Sequence, residues 1–311
     1  MEQNSRSFLI RSYLAAFLFT AAFAAGTHLV LADGSSTSVS VTNATPTVSA
    51  VSISPATITL TENTTTTVTI TATITDGNGC SDVFSSGTIT ATLYRSGVSA
   101  TSSCTADTNN CYRNITMTDV TASCTGGTDT TGNASGTAQV WYYAEATDAS
   151  STYPSENWVA MVKAVDFANA SSTASSTAEL NSLYALNVTA AINYGTLAAS
   201  ADTGSTNQAA TTTNTGNYKI DVEFSGTNMT DGGSLTIAAS QQKYGTSSVA
   251  YASLGYNLST SPTQRDINLV KATTSTAPSA STTYWGLAIP AGQAAAAYTG
   301  TNTFTAVYSA N

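Results

Sequence analysis

The densest set of oxygen donors in the sequence is the run Asp76-Gly-Asn78-Gly-Cys80-Ser-Asp82. Side-chain oxygens at alternate positions of a glycine-rich loop suit Ca2+, which takes roughly six to eight oxygen ligands at flexible distances. Asp148 and Asp166 each end a later strand pattern, so both are expected to add carboxylates if those ends meet at one pole. The same run also reads as an Asp-Gly turn whose side chains hydrogen-bond the backbone. Sequence leaves both readings open, and Cys80 supplies no ligand if it is paired.

Other chemistry is narrower. The one histidine, His28, falls in an N-terminal apolar segment with the layout of a cleaved leader. The mature chain then has no imidazole, which excludes Ser-His-Asp and Cys-His nucleophile activation and histidine metal sites. Hydrolysis by a carboxylate pair survives that test, with Glu145 and Asp148 or Asp221 and Glu223 as candidates. Residues two apart on a strand face one side about 7 Å apart, yet two acids on a solvent face are the commoner meaning of that spacing. The expectation is a protein that is not an enzyme, with no catalytic residues. Trp141, Tyr143, Tyr153 and Trp158 offer flat faces for sugar stacking, or else fill a core, as Trp285 is expected to do.

Four cysteines, Cys80, Cys104, Cys111 and Cys124, lie in one short stretch. In an exported chain an even number reads as disulfides. Of the three possible connectivities the favoured one joins Cys104 with Cys111, stapling the Asp107–Asn110 turn, and Cys80 with Cys124, closing a longer loop. No CxxC spacing supports a thiolate metal site.

The elements that must position these residues are strands. Of the 311 residues, 41 are serine and 58 threonine, while 9% are charged and 41% hydrophobic. That composition can bury a core, and its threonines favour β structure. Apolar residues alternate with a period of two between turn residues, as in Thr65–Asp76, where Val68, Ile70, Ala72 and Ile74 share a face. Further strands are expected at Val48–Ile53, Thr88–Tyr94, Ala138–Ala146, Trp158–Asp166 and Glu179–Leu186, with Asn169–Ala178 as a hairpin loop. Residues 1–32 read as a signal peptide, carrying Arg6 and Arg11 before an alanine-rich apolar run and ending at Ala24 or, preferably, Ala32. Residues 33–47 follow as a flexible segment, residues 48–186 as an immunoglobulin-like β-sandwich with two disulfides, and residues 187–311 as a second such sandwich. The fold class is therefore all-β, two tandem antiparallel sandwiches, with a junction short enough to restrict their relative orientation. Gly34–Val41 and Val48–Ile53 are open to two readings, strand addition to a neighbouring subunit or a stub followed by the domain's own first strand.

Leader removal leaves seven basic and seventeen acidic residues, a net charge of −10. So few cations cannot make the basic footprint that phosphate backbones need, so nucleic acid is not an expected partner, and no second apolar run has membrane length. Eight Asn-x-Ser/Thr sequons occur, about as many as this composition produces by chance.

Ile192-Asn-Tyr-Gly-Thr-Leu197, Asn214-Thr-Gly-Asn217 leading into Val222–Asn228, and Trp285–Gly292 followed by Tyr298–Val307 together resemble secreted bacterial surface proteins built of tandem immunoglobulin-like modules. The resemblance implies a structural, adhesive or ligand-presenting role on a cell surface or extracellular filament, with other subunits or glycans as partners. A pair of carbohydrate-binding modules beside a secreted enzyme is the alternative.

Overall fold

Threonine and β-branched residues pack well on a pleated surface, and they lay down strands along the whole described chain. The computed structural model describes residues 35–98, 103–120, 122–126, 128–188 and 191–310. The leader and both of its expected cleavage sites lie outside those residues. All strands among the described residues belong to the compact unit Asn43–Asn311.

The first half holds β1 (Thr47–Ser54), β2 (Thr57–Ile58), β3 (Thr65–Thr75), helix α1 (Ser81–Phe84), β4 (Thr88–Arg95), β5 (Cys111–Thr116), β6 (Thr118–Asp119), β7 (Thr131–Trp141), β8 (Trp158–Val165) and β9 (Ser171–Leu180). One sheet runs β1-β3-β7-β6 and the other β2-β9-β8-β4-β5, antiparallel except for the β2–β9 pair. Their inner faces enclose a core of Val68, Ile70, Ile74, Leu93, Trp158, Val162 and Leu180. Each such side chain contributes about 1.5–3 kcal/mol by leaving water. The alternation read along β3 is the alternation found: Val68, Ile70 and Ile74 are fully buried. On its outer face the hydroxyls pair across strands, Thr73 donating to Asn133 Oδ1 at 2.9 Å and Thr75 meeting Thr131 at 3.1 Å. β1 pairs with β3 as this unit's own first strand, with a bulge between Ser49 and Ser52 where Ala50 takes a φ of 47°.

The second half holds β10 (Leu186–Val188), β11 (Gln208–Asn214), β12 (Ile220–Gly226), β13 (Met229–Thr230), β14 (Thr236–Ile237), β15 (Gln242–Gly245), β16 (Tyr256–Asn257), β17 (Thr263–Leu269), β18 (Ala280–Leu287) and β19 (Asn302–Tyr308). Its sheets run β10-β11-β18-β15-β16 and β17-β12-β19, with β13-β14 as a separate ribbon. Its core is aromatic: Trp285 stacks on Tyr244 at 4.8 Å between ring centroids, and Phe224 meets Tyr244 at 4.7 Å and Phe304 at 5.0 Å. The buried indole is satisfied by Thr283 Oγ1 at 2.9 Å.

Two expectations need correction. Asn169–Ala178 is not a hairpin loop; most of it is β9, which pairs residue for residue with β8. The turn shrinks to Asp166–Ala170, closed by Asp166 N–H donating to Ala170 O and Asn169 N–H to Asp166 O, with Asn169 at a φ of 68°. Conversely, the expected Glu179–Leu186 strand is broken: Glu179 and Leu180 end β9, Leu186 begins β10, and the five residues between are in no sheet. Among those five, Asn181, Ser182 and Leu183 donate their amides to Ile58 O, Asp148 Oδ2 and Asn217 Oδ1 instead. The strand expected at Ala138–Ala146 likewise starts earlier and stops at Trp141, where Ala144 N–H turns back to Trp141 O.

The two halves are joined at two places. Gly216 lies so close to the Leu183 carbonyl that a Cβ would sit 2.0 Å from that oxygen. Beside it Thr215 N–H donates to Ala185 O and Asn63 N–H to Thr215 O. At the second place Lys271 Nζ reaches Glu145 Oε1 at 3.0 Å, Asn109 Oδ1 at 2.9 Å and the Tyr143 carbonyl at 3.0 Å. Asn109 returns a hydrogen bond to Thr273 O at 2.7 Å, and Ala272 is buried against Tyr142 and Tyr143.

Candidate metal centre

β3 ends at Thr75, and the chain must reverse within a few residues to start α1. Asp76 begins the reversal: its N–H donates to Thr130 O at 2.8 Å, its Oδ1 accepts from Asn78 N–H at 2.8 Å, and its carbonyl accepts from Gly79. Gly79 takes a φ of 115°, a conformation open to glycine. Cys80 N–H donates to Asp129 O, and Cys80 is disulfide-bonded to Cys124, so the loop is pinned to its neighbour. The second bridge joins Cys104 and Cys111. Both pairings are those favoured from sequence.

Asp82 stands in the first turn of α1, and Asp166 at the end of β8 accepts from Ala170 N–H at 2.8 Å. Carboxylate oxygens of Asp76, Asp82 and Asp166 lie within 4.8 Å of one another, with Asp76 and Asp166 buried. Burial raises the Asp76 carboxyl above its ordinary value; the Asn78 amide opposes this, and the charges of Asp82 and Asp166 add to it. Asn78 points elsewhere, its Oδ1 accepting from Ala44 N–H, while Asn43 Nδ2 donates to Asp166 Oδ2 at 2.8 Å. Sequence reasoning missed Asn43 and Ala44 at this site; a sequon at Asn43 carried no hint of it.

Asp148 does not join the cluster. It accepts from Ser182 N–H and Oγ, each at 2.7 Å, beside the Trp158 end of β8. Asp166 follows the other end, roughly 23 Å away at the usual strand rise. Asp148 lies in the loop before β8 and Asp166 directly after it, so the two acids sit toward opposite ends of that strand.

The other candidates dissolve into structure. Trp158 is fully buried and donates its indole N–H to Glu145 O at 2.8 Å. Tyr143 is also buried, stacked on Trp141 at 5.6 Å, and Tyr153 lies 3.6 Å beneath the Arg95 guanidinium. These four therefore form no common platform. Asp221 is not on a solvent face but buried, accepting from Asn268 N–H at 2.9 Å and from Gln264. Glu223 lies two residues further along the same strand, β12, and is half-buried. A separate cleft of about 420 Å³ is lined by Glu145, Tyr153, Tyr218, Lys219, Lys271 and Tyr308.

In the Cys104–Cys111 turn, burial raises Asp107, but hydrogen bonds from the Asn109 amide and the Asn110 and Asn109 side chains, with the Lys271 charge, outweigh it and hold its carboxyl low. A depressed value contributes stability above the unfolded carboxylate range, lost as pH falls through the folded value. Unfolding measured from pH 5 downward is therefore expected to steepen below about pH 4, and less so in Asp107→Asn. Equal pH profiles for the two would remove Asp107 from the account.

No protein-family model and no curated protein matches the chain. Among solved structures it is similar to the secreted serine protease VesC from Vibrio cholerae, over 80% of this chain and 49% of that one, at 9% identity and a TM-score of 0.20. The chain thus spans about half the length of that structure, and a likeness this weak carries no argument about fold or activity.

Proposed function

We propose that this chain is an exported, non-enzymatic structural or adhesive component of a bacterial cell surface or extracellular filament, built as tandem immunoglobulin-like modules behind a cleaved leader. The observation that carries the reading is the joint between its halves. Lys271 and Asn109 on one side, and Gly216 with Asn217 on the other, bond the two halves at separate points, which suits a part that transmits force without bending. Two disulfides accord with an oxidising compartment. Among the described residues no helix is long and apolar enough to cross a membrane.

Fractionation of the native host with mass spectrometry of the N-terminus tests this. The expected result is a surface or filament fraction whose chain starts near Asp33; an intact leader on a cytosolic chain overturns it. The tyrosine-lined cleft favours a second reading as a glycan-binding module pair. Signal on a glycan array that is lost in Tyr218→Ala would select that reading over the first.

A further inference from the structure

Three carboxylates meet where α1, β8 and the end of β3 converge, and a cluster of acids alone signifies nothing. Asp76 adds a separate observation. It is 1% exposed, its Oδ1 is taken by the Asn78 amide, and its Oδ2 is buried with no hydrogen-bond partner. A buried acceptor left so costs about 1–3 kcal/mol, more for a charged group. Nor does a cationic side chain neutralise the cluster, because the two ion pairs among the described residues are Arg95–Glu156 and Lys271–Glu145.

We propose that Asp76, Asp82 and Asp166 bind one Ca2+ ion, and that the ion fastens the Asn43–Ala44 approach to β1 onto this end of the first half. The donors are all oxygens, and Cys80 beside them is held in its disulfide, which selects a hard cation. Ca2+ bonds oxygen at about 2.3–2.6 Å, so its opposite ligands stand up to about 5 Å apart, against about 4 Å for Mg2+. The three carboxylates, with oxygens within 4.8 Å of one another, fit inside the span that Ca2+ allows. Asp76 Oδ2 then gains its partner, and water fills the remaining positions. Asn43 holds Asp166, and Ala44 holds Asn78, the residue whose amide orients Asp76. Ala44 also lies against Gly77, where a Cβ would come within 3.1 Å. Ordering the ligands therefore orders the approach to β1.

The test uses the full mature chain stripped with chelator, by titration calorimetry and thermal melting. One Ca2+ per chain is expected, with the midpoint raised by several degrees at hundredfold excess over Kd. Asp82→Asn and Asp166→Asn are each expected to weaken binding at least tenfold, while Asp148→Asn leaves it unchanged. Hydrogen exchange in the peptide covering Asn43–Thr47 is expected to slow when Ca2+ is added. Asp82 is half-buried, so its amide variant keeps the fold, and circular dichroism verifies this. No heat and no melting shift up to about 10 mM Ca2+, beyond the range of extracellular modules, overturns the site. So does wild-type affinity in both variants. Equal or tighter Mg2+ binding overturns the choice of ion, and exchange at Asn43–Thr47 that ignores Ca2+ overturns the fastening.

Discussion

A chain with Cys80 and Cys124 both replaced by alanine unfolds with about 4 kcal/mol less stability than the native protein. The bridge spans a sequence separation of 44, and in the chain-entropy model a closed loop of that length removes about 4 kcal/mol of freedom from the unfolded state. The shorter Cys104–Cys111 bridge, with a separation of 7, is worth about 2.5 kcal/mol on the same relation. The ranking of the two double variants is thus the sharper statement, and denaturant unfolding reads it. A smaller loss for Cys80/Cys124 than for Cys104/Cys111 would show that the long loop is already ordered in the unfolded chain.

The second large effect belongs to Lys271. Its ammonium serves Glu145, Asn109 and the Tyr143 carbonyl at once, with its side chain 16% exposed and that of Glu145 19%. Removing one partner of a buried pair costs about 3–5 kcal/mol because the other charge stays behind. Residual exposure of both side chains lowers the figure here to about 2–3 kcal/mol. Lys271→Ala is expected to lose that much and to split a single melting transition into two as the halves come uncoupled. In Glu145→Gln the ammonium keeps Asn109 and the Tyr143 carbonyl, so the loss should be smaller, and the double variant should show coupling between the two sites. A single, unshifted transition in Lys271→Ala would mean that the contacts around Gly216 suffice to hold the halves together.

Strands that alternate large apolar residues with threonine were legible from sequence, and β3 is the clearest. β9 was not, because Ser171–Leu180 alternates serine, threonine and alanine, residues too alike in hydropathy to print a period of two. Its order comes from β8 beside it. The cysteine pairing was legible because Cys104 and Cys111, 7 apart, fall on either side of one turn, which leaves Cys80 and Cys124 as the remaining pair. Of the five oxygen donors proposed for a cation, Asp76, Asp82 and Asp166 converge. Asp148 went astray because a strand's end is visible in sequence but the pole it reaches depends on strand direction. Asn78 lies in the right loop, yet its side chain is claimed by Ala44, a contact across more than thirty residues. Lys271 carried no signal at all: a lone lysine after a strand looks like a solvated charge until the loops before β5 and after β7 close over it.

The bulge in β1 bears on how such a surface avoids sticking to itself. β1 is the edge of its sheet, and with 9% charged residues the chain has few of the lysines that usually guard an open edge against cross-chain pairing. Ala50, turned into the left-handed region, breaks the ladder between Ser49 and Ser52, so no straight run of eight amides and carbonyls faces outward. Backbone shape takes the place of charge as the gatekeeper. Any copy-to-copy strand addition is then steered away from β1 toward edges that lack such a kink, such as β10 or β19.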